Sequence, residues 1–180
     1  DNIYSIGLSN EFLKEANSIS KTKIEQIFYS QSSFVADEIV SQVDLKNIQA
    51  IFIPDYVTTA AQLTKAITNK TNHVTILGGD GWGESVVFNA INSESPKTKL
   101  FYSDHWDISF AQKQAAQFVK SYTNLFKKAP TSGAVTTYEA FQLIDLISKN
   151  YPAALKSNDL LVNSINEISF NGVFGRLTFS

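Results

Sequence analysis

VTILGGDGWGES, residues 74–85, is an apolar run that breaks at once into four glycines around one aspartate and one tryptophan. A run this short, bounded by a glycine turn, reads as a buried strand and not as a helix. The same form recurs on either side. QAIFIP, 49–54, closes with a proline, and TKLFYS, 98–103, ends at a serine that an aspartate follows. KIEQIFY, 23–29, reads as a further strand upstream. Between these runs lie helical stripes. Ile6, Leu8, Phe12, Leu13, Ala16 and Ile19 trace a helix over about 5–20, and Phe34, Val35, Ile39, Val40 and Val43 a second. Ala60, Ala61, Leu63, Ala66 and Ile67 form a third, and 86–91 a short fourth. Such β-α alternation predicts an α/β protein in three layers, a mostly parallel sheet with helices on both faces.

After Ser103 the alternation stops. Residues 109–128 and 134–149 read as two consecutive amphipathic helices, and Pro130 and Gly133 in KKAPTSG mark the break between them. A shorter helix follows at 158–166, and GRLTF near the end alternates as a strand does.

Composition narrows the function. The 180 residues are 43% hydrophobic and 18% charged, with a formal net charge of −2, which supplies no basic field for nucleic acid. No apolar run approaches the roughly 18 residues that cross a bilayer, and DNIYSIGLSNEF lacks the pattern of a secretory leader. Without cysteine there are no disulfides, thiolate metal sites or cysteine nucleophiles. Methionine is absent even at position 1, so the chain is expected to be a processed form or a piece of a longer protein.

In an open parallel sheet, ligands bind beyond the carboxyl ends of the strands, where loops converge. Those loops hold Ser30-Gln31-Ser32, Asp55-Tyr56, Gly79-Asp80-Gly81-Trp82 and Ser103-Asp104. Asn2-Ile3-Tyr4 joins them if a strand precedes the first helix, as a β-α series requires. The glycine-rich loop is not a phosphate cradle. Counting from Gly79, the dinucleotide spacing puts Glu84 where a glycine is needed; no Lys-Ser or Lys-Thr follows; and Asp80 with Glu84 repels an anion. A calcium loop needs more oxygen ligands than these two carboxylates, and nothing nearby completes a glycosidase pair. A lone carboxylate among aromatic residues suits a small cation such as an amino acid's ammonium group. Charge-assisted hydrogen bonds contribute about 1.5–3 kcal/mol and a ring face about 0.5–2. Against this stands the plain alternative that the glycines only make a turn and Trp82 caps the core.

Five segments in order carry a resemblance over nearly the whole chain. They are YSIGL with Phe12, AIFIPDYVTTAAQLTKAI, ILGGDGWGES, FVKSYTNLFKKAPTSGAVTTYEAFQLI and FNGVFGRLTF. Together they resemble the substrate-binding proteins of ABC transporters for branched-chain amino acids. The resemblance implies a type I periplasmic-binding-protein fold, two α/β lobes closing on a ligand, of which this chain is an incomplete part. It implies that Asp80 takes the ligand's ammonium, that Tyr4, in a loop before the first helix, and Tyr56 wall or hydrogen-bond the ligand, and that Trp82 shapes the pocket from the rim. It further implies 1–103 plus 170–180 as the second lobe. The helical segment 104–169 would belong to the first lobe, which is missing here, with self-association as the other way to cover its helices. The implied partners are an amino acid and the membrane permease of an ABC importer, outside the cytoplasmic membrane. The alternative is a ligand-sensing or protein-interaction domain of the same fold.

No catalytic group, metal or cofactor is expected. His73 reads as a surface residue beside a strand. His105, between Asp104 and Asp107, lacks further metal ligands. Lys127-Lys128 suits a helix end and a solvated face, and no Gly-x-Ser-x-Gly elbow occurs.

Overall fold

The computed structural model describes residues 2–19, 23–82, 86–89, 97–110 and 113–179. They form two compact units, divided after Asp104. In the first, helix α1 (Ile3–Ile19) is followed by α2 (Ala36–Ser41), β1 (Ala50–Ile53), α3 (Val57–Thr68), β2 (Thr75–Gly78), α4 (Val86–Asn89) and β3 (Lys99–Tyr102). The three strands form a parallel sheet in the order β1-β2-β3, with Ile51 opposite Ile76 and Ile76 opposite Leu100.

Alternation along these strands divides the core between two faces. Ile53 and Ile76 point to one face and are buried with Ile39 and Val40 of α2, Ala60, Leu63, Ala66 and Ile67 of α3, and Val87 of α4. Phe52 points the other way and stacks on Phe12 of α1, ring centroids 4.5 Å apart. Helices therefore cover both faces of a parallel sheet, as the β-α alternation predicts.

One predicted strand does not form. Among the described residues, 23–30 form no regular element and join neither sheet. Ile27 and Tyr29 still pack against the core. The alternation of this segment is a property of its own side chains, whereas a strand also needs a neighbour's backbone groups. Part of the predicted fourth helix, at positions 90–91, lies outside the described residues, as do Gly83, Glu84 and Ser85 of the glycine-rich loop.

The second unit holds α5 (Lys113–Phe126), α6 (Ser132–Asn150), α7 (Asn158–Glu167) and a hairpin of β4 (Ser169–Asn171) and β5 (Arg176–Thr178). Pro130 is buried at the break, and the Thr131 side chain caps α6 by accepting from the Ala134 N–H. The C-terminal hairpin packs on the helices that precede it. Phe170 lies against Ile147 and Ile168, and Val173 is buried with Ala115 and Val135, so 170–179 is held within the second unit.

The turn into the glycine-rich loop depends on an approach too close for any side chain. A Cβ at Gly78 would come within 2.2 Å of the Trp82 ring, which is fully buried. Gly78→Ala should therefore lower stability by about 1–3 kcal/mol, the usual cost of overpacking. Gly7 sits on an exposed turn of α1 with nothing within 4 Å of an added Cβ. Gly7→Ala should instead raise stability by about 0.5–1 kcal/mol. Urea unfolding of both variants checks the pair, and equal midpoints would refute the close-approach argument.

Candidate functional site

Three of the predicted residues come together where β1 and β2 end. β1 runs into Pro54, Asp55 and Tyr56, and α3 starts at Val57. β2 ends at Gly78, and a single 3-10 turn follows over Asp80–Trp82. Tyr4 is the second residue of α1 and not part of a loop before it, so the helix's first turn aims its ring at the other two segments.

The rings of Tyr4 and Tyr56 stack, with centroids 4.8 Å apart and planes 16° from parallel. Offset stacking of this kind adds about 0.5–1.5 kcal/mol beyond the area it buries. The Tyr4 hydroxyl donates to Asp80 Oδ1 at 2.6 Å and accepts from the Gly81 N–H at 2.8 Å. A Cβ at Gly81 would lie 2.9 Å from that hydroxyl and 3.2 Å from the Asp55 carbonyl, so a side chain here would push the phenol off its present position. Tyr56 remains 51% exposed, which leaves much of its ring to solvent beside Asp80's partner.

Burial pushes the Tyr4 phenol up to about 12. The Asp80 carboxylate, which accepts its proton, adds to the shift, and the Gly81 N–H offsets part of it. Tyr29 is also raised, first by burial and then by its bond to Asp55.

Trp82 is not on the rim. It is 0% exposed, its ring lies under Gly78, and its Nε1–H donates to the Ile53 carbonyl at 3.1 Å. The ring is large enough to fill the space behind the loop, so it supports the loop from the core side.

Sequence reading passed over one residue. Asp55 sits in one of the loops already singled out, yet it is only 2% exposed. Tyr29 Oη donates to its Oδ2 at 2.6 Å, the Tyr56 N–H to its Oδ1 at 2.6 Å and Asn2 Nδ2 to Oδ1 at 3.4 Å. An acidic residue directly after a strand's closing proline is the one signal that could have drawn attention to it. Among the described residues no group of three or more histidine or acidic side chains is placed to hold a metal, and no helix is long and apolar enough to cross a membrane.

A three-stranded parallel sheet with helices on both faces, ending in this rim, is the fold of a periplasmic-binding-protein lobe. Three solved structures carry it over the whole chain. The leucine-binding protein LivK of Thermotoga maritima matches with a TM-score of 0.82 at 22% identity, over 99% of this chain and 50% of its own. The branched-chain amino acid transporter substrate-binding protein LivJ of Streptococcus pneumoniae, in complex with isoleucine, matches with a TM-score of 0.77 at 19% identity, over 99% and 50%. An ABC transporter substrate-binding protein of Desulfitobacterium hafniense, in complex with leucine, matches with a TM-score of 0.66 at 18% identity, over 100% and 51%. The chain thus spans about half the length of the structures it matches, and identity at this level shows the fold alone. No family model matches the sequence, and no curated protein matches it significantly.

The raised phenols make a prediction at alkaline pH. A tyrosine whose value is higher in the folded than in the unfolded state stabilises the fold fully below the unfolded value, near 10, and that contribution is lost as pH rises. For Tyr4 the loss runs from about 10 to about 12. Ultraviolet titration of the seven tyrosines should show late ionisation, and Tyr4→Phe should remove amplitude only from that late part, with Tyr29 still ionising late. Loss of amplitude from the early part instead would contradict the buried, bonded phenol.

Proposed function

We propose that this chain is the ligand-binding part of an extracytoplasmic solute-binding protein that captures a small amino acid, first of all a branched-chain one, for an ABC importer. The observation that carries the reading is the carboxylate of Asp80 tied to a stacked tyrosine pair at the carboxyl ends of the strands. In support, two solved structures with this fold hold isoleucine and leucine.

The chemistry follows from the groups present. Asp80 accepts from the ligand's ammonium, and the attraction is strengthened because the site is partly screened from water. Tyr4 and Tyr56 present an apolar wall with polar edges, a surface that holds a small ligand without consuming it. Capture is non-catalytic. The ligand binds between two lobes, and closure is driven by contacts made better in the closed state than in the open one.

On this reading the helices within 104–169 serve the other lobe of the complete protein. The exposed Leu125, Phe126, Tyr138, Phe141 and Ile144 on α5 and α6 support it, since large apolar side chains left in water on two helices suit surfaces that a further layer covers. The protein would work in the periplasm or on the outer face of the cytoplasmic membrane, handing its ligand to a membrane permease.

Calorimetry on the complete protein tests the assignment. Asp80→Asn should weaken leucine binding by about tenfold or more, the worth of a charge-assisted hydrogen bond. Isocaproate, which is leucine without its ammonium group, should bind the unaltered protein poorly and should lose little further in the variant. Leucine affinity that is the same in both proteins would refute the role given to Asp80.

A further inference from the structure

Among the described residues of the first unit, the most enclosed acidic group is not the one at the rim but Asp55 beneath it. The residue is only 2% exposed, yet its carboxylate receives donors from three separate segments. Tyr29 brings in the stretch 23–30, Asn2 the start of α1, and the Tyr56 N–H the start of α3. Every member of the rim lies one short step away. Tyr56 is the next residue along the chain. Tyr4 is two residues beyond Asn2, whose own Oδ1 accepts from the Ser5 N–H at 2.7 Å and so fixes the first turn of α1. The Asp55 carbonyl would lie 3.2 Å from a Cβ on Gly81, the residue after Asp80.

We propose that Asp55 is a positioning residue of this site: its carboxylate sets the spacing of the stacked tyrosines relative to Asp80. The proposal rests on the solute-binding reading for what the spacing is used for, but the spacing itself is independent of any ligand. The physical case is that α3 has no side-chain cap of its own at Tyr56. The Tyr56 N–H is instead held by the preceding carboxylate, which fixes the backbone that carries the ring. A buried carboxylate is costly unless several donors compensate it. Those donors are therefore held as firmly as they hold Asp55.

The test uses the complete protein and two readouts. The contribution of the tyrosine stack is taken from near-ultraviolet circular dichroism as the change caused by Tyr56→Leu in each background, without ligand. Leucine affinity is measured by calorimetry. In Asp55→Ala the stack's contribution should vanish and affinity should fall by about tenfold or more. Asp55→Asn keeps an acceptor for the Tyr56 N–H and should restore most of the stack signal. A residue with a merely structural role would lower the melting temperature in both variants without moving the dichroism of the pair. Should Asp55→Ala not fold, Tyr29→Phe removes one donor at no change of shape and should reduce both the stack signal and the affinity several-fold.

A folded Asp55→Ala protein with the stack signal intact overturns the proposal, as does Tyr29→Phe with both readouts unchanged where the alanine variant fails to fold. Absence of leucine binding in the unaltered protein, with the stack signal still lost in Asp55→Ala, sinks the choice of ligand and upholds the positioning role.

Discussion

The indole of Trp82 occupies the volume that a side chain at Gly78 would need, and its N–H reaches across to the last carbonyl of the neighbouring strand, at Ile53. This one packing contact holds the carboxyl ends of β1 and β2 at the same height. It also forces the chain to turn directly after β2. The single 3-10 turn that results puts Asp80 on the outside while Trp82 is inside. The aspartate is at the rim because the tryptophan is not.

On that base the rim is assembled by polar bonds that would mean little in water. The Tyr4 hydroxyl stands between a carboxylate and a backbone N–H, donating to one and accepting from the other. Each bond alone contributes on the order of 1 kcal/mol net, but breaking one leaves its partners poorly compensated, which costs more. Tyr4 is thereby held over the glycine-rich loop, and Tyr56 is held over Tyr4 by stacking.

The strands were legible because each is a short apolar run with a clear stop. TILG, AIFI and KLFY fall inside the runs read from sequence, within a residue or two of their ends. Tyr4, Tyr56 and Asp80 were legible as a set through the resemblance together with the rule that loops at strand carboxyl ends converge. Trp82 was placed wrongly because its burial depends on room made by a glycine four positions earlier and on a carbonyl in another strand. The stretch 23–29 shows why alternation is not pairing. Its side chains have the period of a strand, but strand formation is settled by a neighbour. Asp55 was passed over since a carboxylate in a loop looks solvated in sequence, and the donors that enclose it lie 26 and 53 positions away.

The two units use buried carboxylates at corresponding tasks, and the difference between them is informative. Glu139 of α6 is 6% exposed, and its Oε1 accepts from the Phe174 N–H at 2.8 Å while its carboxylate lies where a side chain on Gly172 would be. It thus anchors the turn joining β4 to β5, which Gly175 completes at a φ of +116°. Among the described residues Asp55 has three donors from three segments, whereas Glu139 holds one turn through one backbone donor. Desolvation costs each carboxylate several kcal/mol, so the better compensated one belongs where geometry must be kept most exactly. In this protein that place is beneath the tyrosine pair, and the carboxylate with fewer donors serves the turn, where only the course of the chain has to be fixed.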